Sequence, residues 1–187
     1  MREVEKRYAS ATLAAGCFWC IEAVFQQLNG VVEVQSGYTG GHIKNPAYRE
    51  VCTGRTGHAE VARIQFDPQI LTFSEILEVF FATHDPTTLN RQGNDIGTQY
   101  RSEIFAHDEE QYAIAEKAIS AADQSGTWPN PVVTQLSMLE EFYAAEDYHT
   151  DYFNAHPEES YCKFVVRPKV DKFKKLFATK LKAKEEG

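Results

Sequence analysis

Thr12-Leu13-Ala14-Ala15-Gly16-Cys17-Phe18-Trp19-Cys20-Ile21-Glu22-Ala23-Val24-Phe25-Gln26-Gln27-Leu28-Asn29-Gly30-Val31-Val32-Glu33-Val34-Gln35 reads as a strand, a helix and a second strand. Thr12 to Ala15 is a short apolar run. Ile21, Val24, Phe25 and Leu28 then recur at the i, i+3, i+4, i+7 spacing of a helix with one buried face. Asn29-Gly30 supplies a stop signal, and Val31 to Gln35 has the β-branched content of a strand. Strand, helix and strand within about 30 residues make a compact βαβ unit. The pentapeptide Gly16-Cys17-Phe18-Trp19-Cys20 falls on its first turn.

Two thiols three residues apart at a helix start suggest redox or metal chemistry. Unpaired N–H groups and the positive end of the helix dipole favour a thiolate, lowering a cysteine pKa from about 8.5 to as little as roughly 3.5–7.5. Cys17 comes first and gains most. Cys20 shares its face one turn later, within the usual disulfide range of about 4.4–6.8 Å between Cα atoms. Three plainer readings compete. Either cysteine can be a small buried hydrophobe. A zinc site needs a second ligand pair, whereas Cys52 and Cys162 are isolated and no histidine lies within a few residues of Cys20. A lipidated signal-peptide end would need a longer apolar stretch than one preceded by Arg2, Glu3, Glu5, Lys6 and Arg7.

The chain has 187 residues, which fits one domain spanning 1–187 with a core that needs no disulfide staples. Four cysteines are too few for a disulfide scaffold, and no apolar run approaches a membrane span, so a cytoplasmic protein is expected. Nineteen basic against 27 acidic residues give a net charge of -8, which opposes binding to nucleic acid or anionic lipid. Lysines from Lys169 to Lys184 interleave with Val170, Phe173, Leu176, Phe177 and Leu181, the pattern of an amphipathic C-terminal helix.

Elsewhere, α and β patterns alternate without repeats or a convincing linker. Val61 to Phe66 predicts a strand, and Thr72 with Glu75 forms a capping box opening a helix. Ser102 to Ala106 predicts a strand, Asp108 with Gln111 caps a helix to about Asp123, and Val132 to Leu136 predicts another strand. Two long polar stretches, Ser36 to Glu60 and His84 to Tyr100, interrupt this alternation, and loops of that length are usually functional. The first offers Tyr48, His58 and Glu60; the second offers His84, Asp85, Asp95 and Tyr100. His58 or His84 beside a thiol would make a Cys/His hydrolase. Glu60, at a loop-to-strand junction, is placed for partial burial, which would raise its pKa and make it a proton donor.

Four segments together carry a family resemblance: Gly16-Cys17-Phe18-Trp19; Asn45-Pro46-Ala47-Tyr48-Arg49-Glu50-Val51-Cys52-Thr53-Gly54; Thr56-Gly57-His58-Ala59-Glu60; and Gln92-Gly93-Asn94-Asp95-Ile96-Gly97-Thr98-Gln99-Tyr100-Arg101-Ser102. From about residue 11 to 170 the chain resembles peptide methionine sulfoxide reductase of type A. The resemblance implies a reductase that returns methionine sulfoxide, free or within oxidised proteins, to methionine, acting on the S epimer at sulfur. It implies Cys17 as nucleophile, Phe18 and Trp19 around the substrate methyl, Glu60, Tyr48 and Tyr100 around the sulfoxide oxygen, and Asp95 in support. It implies an α/β (α+β) fold: a ferredoxin-like α/β plait with a mixed sheet, long loops and a wrapped C-terminal tail. No cofactor or metal is implied. Thioredoxin, or dithiothreitol in its place, is the expected reductant, and a monomer the default.

Many family members have glycine where this chain has Cys20 and resolve the Cys17 sulfenic acid with a distal cysteine. Here both options exist, Cys20 one turn away and Cys162 in Ser160-Tyr161-Cys162-Lys163. Proximity favours Cys20 first, with Cys162 as a relay facing thioredoxin. Cys52 reads as structural. Two alternatives from other classes remain: a general thiol-disulfide oxidoreductase, which would not need Tyr48, Glu60 and Tyr100, and a zinc-binding interaction module.

Overall fold

A computed structural model describes residues 7–183. Arg2, Glu3, Glu5, Lys6 and Lys184, used above, lie outside the described residues. The elements in chain order are β1 (Ala9–Ala15), α1 (Phe18–Phe25), β2 (Val31–Thr39), α2 (Tyr48–Cys52), β3 (Ala59–Phe66), α3 (Phe73–Thr83), β4 (Arg91–Gln92), β5 (Asp95–Ile96), β6 (Ser102–Ala106), α4 (Glu109–Gln124), β7 (Gln135–Met138), β8 (Tyr143–Ala144), α5 (Tyr152–Ala155) and α6 (Arg167–Leu176). A single turn of π-helix, Cys162–Val166, runs directly into α6. The result is an α/β fold on a mixed six-stranded sheet ordered β7-β6-β1-β3-β2-β8, with β4 and β5 forming a separate small hairpin.

The first strand-helix-strand unit is present but split. β1 and β2 do not pair with each other; β3 lies between them, antiparallel to both. β6 pairs with the free edge of β1, antiparallel, and only β6 and β7 are parallel neighbours. Alternation of side chains then sorts the sheet faces. Leu13 and Ala15 of β1, Ala62, Ile64 and Phe66 of β3, and Ile104 of β6 join α1, α3, α6 and Ala115 of α4 in the main core. Ala14, Ala59, Val61 and Phe105 face the other way, under Leu139 and Phe142. By this parity Glu60 belongs to the helix-covered face, at a position where the pattern calls for an apolar side chain.

Local chemistry explains most boundaries. Thr72 caps α3, its hydroxyl accepting the Glu75 N–H at 3.1 Å, and Asp108 caps α4 by accepting from the Gln111 N–H at 2.8 Å. Three expectations need correction. α1 ends at Phe25, so Leu28 is buried beyond the helix, bridged to Leu181. β2 runs to Thr39 because Gly37, Tyr38 and Thr39 continue the ladder opposite Val61, Glu60 and Ala59. The strand expected at Val132 to Leu136 forms at Gln135–Met138 instead, where Glu103 to Ala106 offer a parallel ladder. At the C-terminus, Val170 and Phe173 of α6 are buried but Leu176 is largely exposed. The chain beyond α6 is tied to the end of α1: the Asn29 N–H donates to the Lys180 carbonyl and the Lys182 N–H to the Gln27 carbonyl.

Candidate active site

Gly16 turns the chain out of β1 with φ +89°, and a Cβ there would stand 2.7 Å from the Gln92 side chain. Cys17 follows as the N-cap of α1, its carbonyl accepting the Cys20 N–H at 3.1 Å. Its thiol is buried. The expected fall in thiol pKa is overturned. Burial, together with the charges of Glu60 and Cys20, pushes Cys17 well above the usual value. The helix start does act in the expected direction through the Trp19 N–H, and the Tyr161 hydroxyl adds to it, but desolvation outweighs both.

Glu60 is 1% exposed. One carboxyl oxygen accepts the Phe18 N–H at 3.2 Å; the other is buried without a partner among the described residues. Desolvation is the main cause that pushes Glu60 up to about 8, against the Phe18 hydrogen bond and with help from the Asp95 charge. The carboxyl is therefore mostly protonated at neutral pH, with its proton on the free oxygen. Tyr48 and Tyr100 stand within electrostatic reach of both Glu60 and Cys17, and their phenols are raised mainly by burial. The two polar loops thus do meet at the Cys17 turn.

The aromatic pair divides its exposure unequally. Phe18 is fully enclosed, stacked on Tyr48 at 6.2 Å and tilted against Tyr38 at 5.7 Å. Trp19 is half-buried, stacked face to face on Tyr152 at 3.8 Å with Tyr161 edge-on at 5.7 Å. Its indole N–H donates to His149 Nδ1 at 3.0 Å, which fixes the neutral ring with its proton on Nε2, an atom buried without a partner among the described residues. The His149 ring also packs at 4.9 Å from Phe18 and 4.4 Å from Tyr48. Glu146 locks this wall, taking the Tyr38 hydroxyl at 2.9 Å and the Tyr48 N–H at 3.0 Å.

Asp95 enters through the β4–β5 hairpin and accepts the Tyr161 hydroxyl at 2.5 Å. The Tyr161 hydroxyl also lies close enough to Cys17 and Cys20 to favour their thiolates, so one phenol links the acidic loop to the two thiols. All four cysteines are free thiols, with Cys17, Cys20 and Cys162 buried. Cys20 is pushed up to about 11 by burial. Cys52, expected to be structural, is exposed at the end of α2, its value raised mainly by desolvation and offset in part by the nearby Tyr48 hydroxyl.

The hydrolase alternative loses its histidines. His58 Nδ1 accepts the Gly41 N–H while its Nε2 bonds the Ile43 carbonyl, and His84 bonds the Phe80 carbonyl and Ser102. Burial holds His84 neutral, down to about 4. Among the described residues no three His, Cys, Asp or Glu side chains are grouped to hold a metal ion. Sequence reasoning missed Tyr161, His149, Glu146, Tyr38 and Tyr152. The dense run of aromatic and polar residues from Phe142 to Phe153 was the signal for Glu146, His149 and Tyr152, but it has neither helical nor strand periodicity; nothing in the sequence singled out Tyr38 or Tyr161.

A buried thiol at a helix start, a buried carboxyl raised to about 8 and a wall of aromatic rings fit a thiol-dependent oxidoreductase on an α/β scaffold. The family described as peptide methionine sulfoxide reductase matches residues 9–181. Peptide methionine sulfoxide reductase MsrA of Saccharolobus solfataricus is 55% identical over 175 residues, covering 94% of this chain and 98% of the relative. That of Trichodesmium erythraeum is 53% identical over 171 residues, covering 91% and 97%. Among solved structures, reduced Mxr1 from Saccharomyces cerevisiae has TM-score 0.79 at 35% identity, over 84% of this chain and 91% of that one. Mxr1 in complex with Trx2 has TM-score 0.56 at 25% identity, over 81% and 89%. The chain belongs to the peptide methionine sulfoxide reductases of type A, and its reaction reduces the S epimer of methionine sulfoxide to methionine. Among the described residues no helix is long and apolar enough to cross a membrane.

Proposed function

We propose that Cys17 attacks the sulfoxide sulfur while Glu60 protonates the departing oxygen. The observation carrying this reading is the partnerless, buried oxygen of Glu60 beside the Cys17 turn. A sulfoxide oxygen is a strong acceptor and a poor leaving group, so it must be protonated or strongly hydrogen-bonded as the S–O bond breaks. Glu60 holds the required proton, and Tyr48 and Tyr100 donate to the same oxygen. Trp19, the ring with open surface, grips the methyl; Phe18 acts from behind by holding Tyr48 in place. The oxygen departs as water with the Glu60 and thiol protons while a Cys17–substrate sulfur–sulfur bond forms. Water then adds to the Cys17 sulfur as that bond breaks toward the substrate sulfur and a proton returns to Glu60, leaving methionine and a Cys17 sulfenic acid.

Cys20 then condenses with the sulfenic acid to a disulfide, and Cys162 passes the disulfide outward to a dithiol. One observation supports this order: Cys20 stands one helical turn from Cys17, its N–H on the Cys17 carbonyl at 3.1 Å. Thioredoxin is the proposed reductant, by analogy with the Mxr1–Trx2 complex. Asp95 orients Tyr161 for both half-reactions. The order β6-β1-β3-β2, with α1 and α3 as the crossovers, supports a ferredoxin-like plait, and the bridge from Leu181 to Leu28 supports a wrapped tail. We read residues 1–187 as one domain, active as a cytoplasmic monomer with its thiols reduced at rest.

The test is turnover of separated methionine sulfoxide epimers with dithiothreitol, by wild type and Cys17→Ser, followed by peptide mapping after one turnover without reductant. Wild type should consume the S epimer and Cys17→Ser should fall to background. Undiminished turnover by Cys17→Ser sinks the nucleophile assignment. A Cys17–Cys162 bond formed first, with Cys20 still free, overturns the order.

A further inference from the structure

α6 packs across α1, and the two helices enclose with α3 a small crevice behind the active thiol. Its walls are apolar, contributed by Ile21, Val24, Phe25 and Phe80 among others. Four polar residues reach it: Cys20, Thr83, His84 and Lys169. Thr83 is committed, its hydroxyl donating to the Val79 carbonyl at 2.7 Å. His84 is committed through both ring nitrogens, at 2.5 Å to the Phe80 carbonyl and 2.8 Å to Ser102. Lys169 is half-buried, with no hydrogen bond or ion pair to any other described residue. A cation in an apolar wall is costly unless something faces it. Of the other three polar residues of the crevice, Cys20 alone has a side-chain atom not taken up by such a hydrogen bond.

We propose that Lys169 is a positioning residue for the second half of the cycle, its ammonium stabilising the Cys20 thiolate that attacks the Cys17 sulfenic acid. The proposal rests on the reading that Cys20 is the resolving thiol. In the step, the Cys20 sulfur forms a bond to the Cys17 sulfur as the Cys17 S–O bond breaks. Hydroxide leaves and takes a proton to become water. The Cys17 sulfur falls by one oxidation level and the Cys20 sulfur rises by one, so no outside oxidant or reductant enters.

The other groups around Cys20 make such a cation necessary. Its own burial, the Asp95 charge and the Cys162 thiol all oppose ionisation; Lys169 is the largest opposing influence, followed by the Tyr161 hydroxyl. His84 is neutral and contributes no charge. The Cys17 sulfenic acid is uncharged at the moment of attack. Lys169 is therefore the sole cation among the groups acting on Cys20.

Lys169 and Cys20 line the same small crevice, and an opposite charge within about 4–6 Å moves a pKa by about one unit or more. Removing it cuts the thiolate population about tenfold. A more basic thiolate is a better nucleophile, with a Brønsted slope of about 0.4–0.5, which restores about threefold. Lys169→Met should thus slow resolution about threefold at every pH from 6 to 9.

The measurement is single turnover without reductant, following decay of the Cys17 sulfenic acid with a dimedone-type trap and mass spectrometry. It is run on wild type, Lys169→Arg, Lys169→Met and Lys169→Glu, each checked for an unchanged near-ultraviolet spectrum. The expected ordering is wild type and Arg together, Met about threefold slower, and Glu slower again. Equal slowing by Arg, Met and Glu would mark a packing role and overturn the proposal, as would a Met variant that resolves at the wild-type rate. Both judgements presuppose a Cys17–Cys20 bond in the wild-type peptide map; if that bond is missing, the resolving assignment itself fails and the Lys169 proposal falls with it.

Discussion

Glu60→Gln should separate catalysis from stability in opposite directions. Glutamine keeps the shape, can still accept the Phe18 N–H at the 3.2 Å position, and points an amide N–H where the carboxyl proton now sits. It has no proton to give. The carboxyl's value rises from the ordinary 4.5 to about 8 on folding. For an acid raised in this way the folded state binds the proton more tightly. Its stabilising contribution is complete below about 4.5 and is lost as pH rises through about 8. At pH 7 the window already crossed is about 2.5 units, or about 3 kcal/mol at 1.36 kcal/mol per unit. Glutamine has no such cost. The variant should therefore gain up to about 3 kcal/mol at pH 7 and melt several degrees higher, since about 1 kcal/mol moves a chain of this size by roughly 2–4 °C. The first half-reaction should fall about 10²–10⁴-fold, the range for a lost general acid. Wild-type reduction should decline as pH rises through about 8, and that limb should vanish from the residual activity of the variant. Denaturant titrations from pH 4.5 to 9, paired with single-turnover rates over the same range, check both halves. Glu22, also raised mainly by burial to about 7, contributes in part of this window, so the quantity to plot is wild type minus variant. A flat difference curve would show that Glu60 is not held protonated by the fold. A variant retaining the wild-type single-turnover rate would refute its role as acid.

Two further outcomes follow from the geometry. Tyr161→Phe removes the hydroxyl that serves Asp95, Cys17 and Cys20; a hydrogen bond to a charged group is worth about 1.5–3 kcal/mol, so sulfoxide reduction should slow about tenfold to a hundredfold at pH 7, measured by single turnover. Gly16→Ala places a Cβ at φ +89° and 2.7 Å from Gln92, whose amide is held on both sides by Asp85, so about 1–3 kcal/mol of stability should be lost in urea titration; an unchanged midpoint would mean the Gln92 side chain yields freely.

Much of the fold was legible because its strongest signals are local. The Thr72 and Asp108 caps place two helices to within a residue or so, and Ser102–Ala106 forms as read. Strand order was not legible, since nothing between Gly16 and Gln35 reveals that β3 will insert between β1 and β2. The strand near Val132 slipped because a parallel edge strand takes its register from β6 rather than from its own apolar run. At the site, Cys17, Glu60, Tyr48, Asp95 and Tyr100 were named from two loops and a turn, and the fold brings them together. What failed was the sign of the thiol shift. A helix start is visible in sequence, whereas the desolvation that outweighs it depends on distant parts of the chain closing over Cys17. Tyr161 escaped because its importance lies in bridging residues 66 and more positions away.

The raised values of Cys17 and Glu60 are two consequences of one enclosure. Each charge opposes the other, and in a dry site the repulsion is too large for both to be ionised together. The resting pair is thus neutral, thiol beside carboxylic acid. Such a thiol is a poor target for general oxidants, because the thiolate is the reactive form. In the proposed mechanism a sulfoxide changes the balance by bringing an oxygen that takes up the Glu60 proton as the Cys17 sulfur closes on the substrate sulfur. The thiol proton leaves with that oxygen, and Glu60 is reprotonated as the sulfenic acid forms. No stage requires two anions in the pocket. Reactivity is therefore conferred by the substrate's own oxygen. A chain that exposed Cys17 to gain a permanent thiolate would lose this discrimination. On that proposal, the elevated thiol value keeps Cys17 protonated and quiet until methionine sulfoxide arrives.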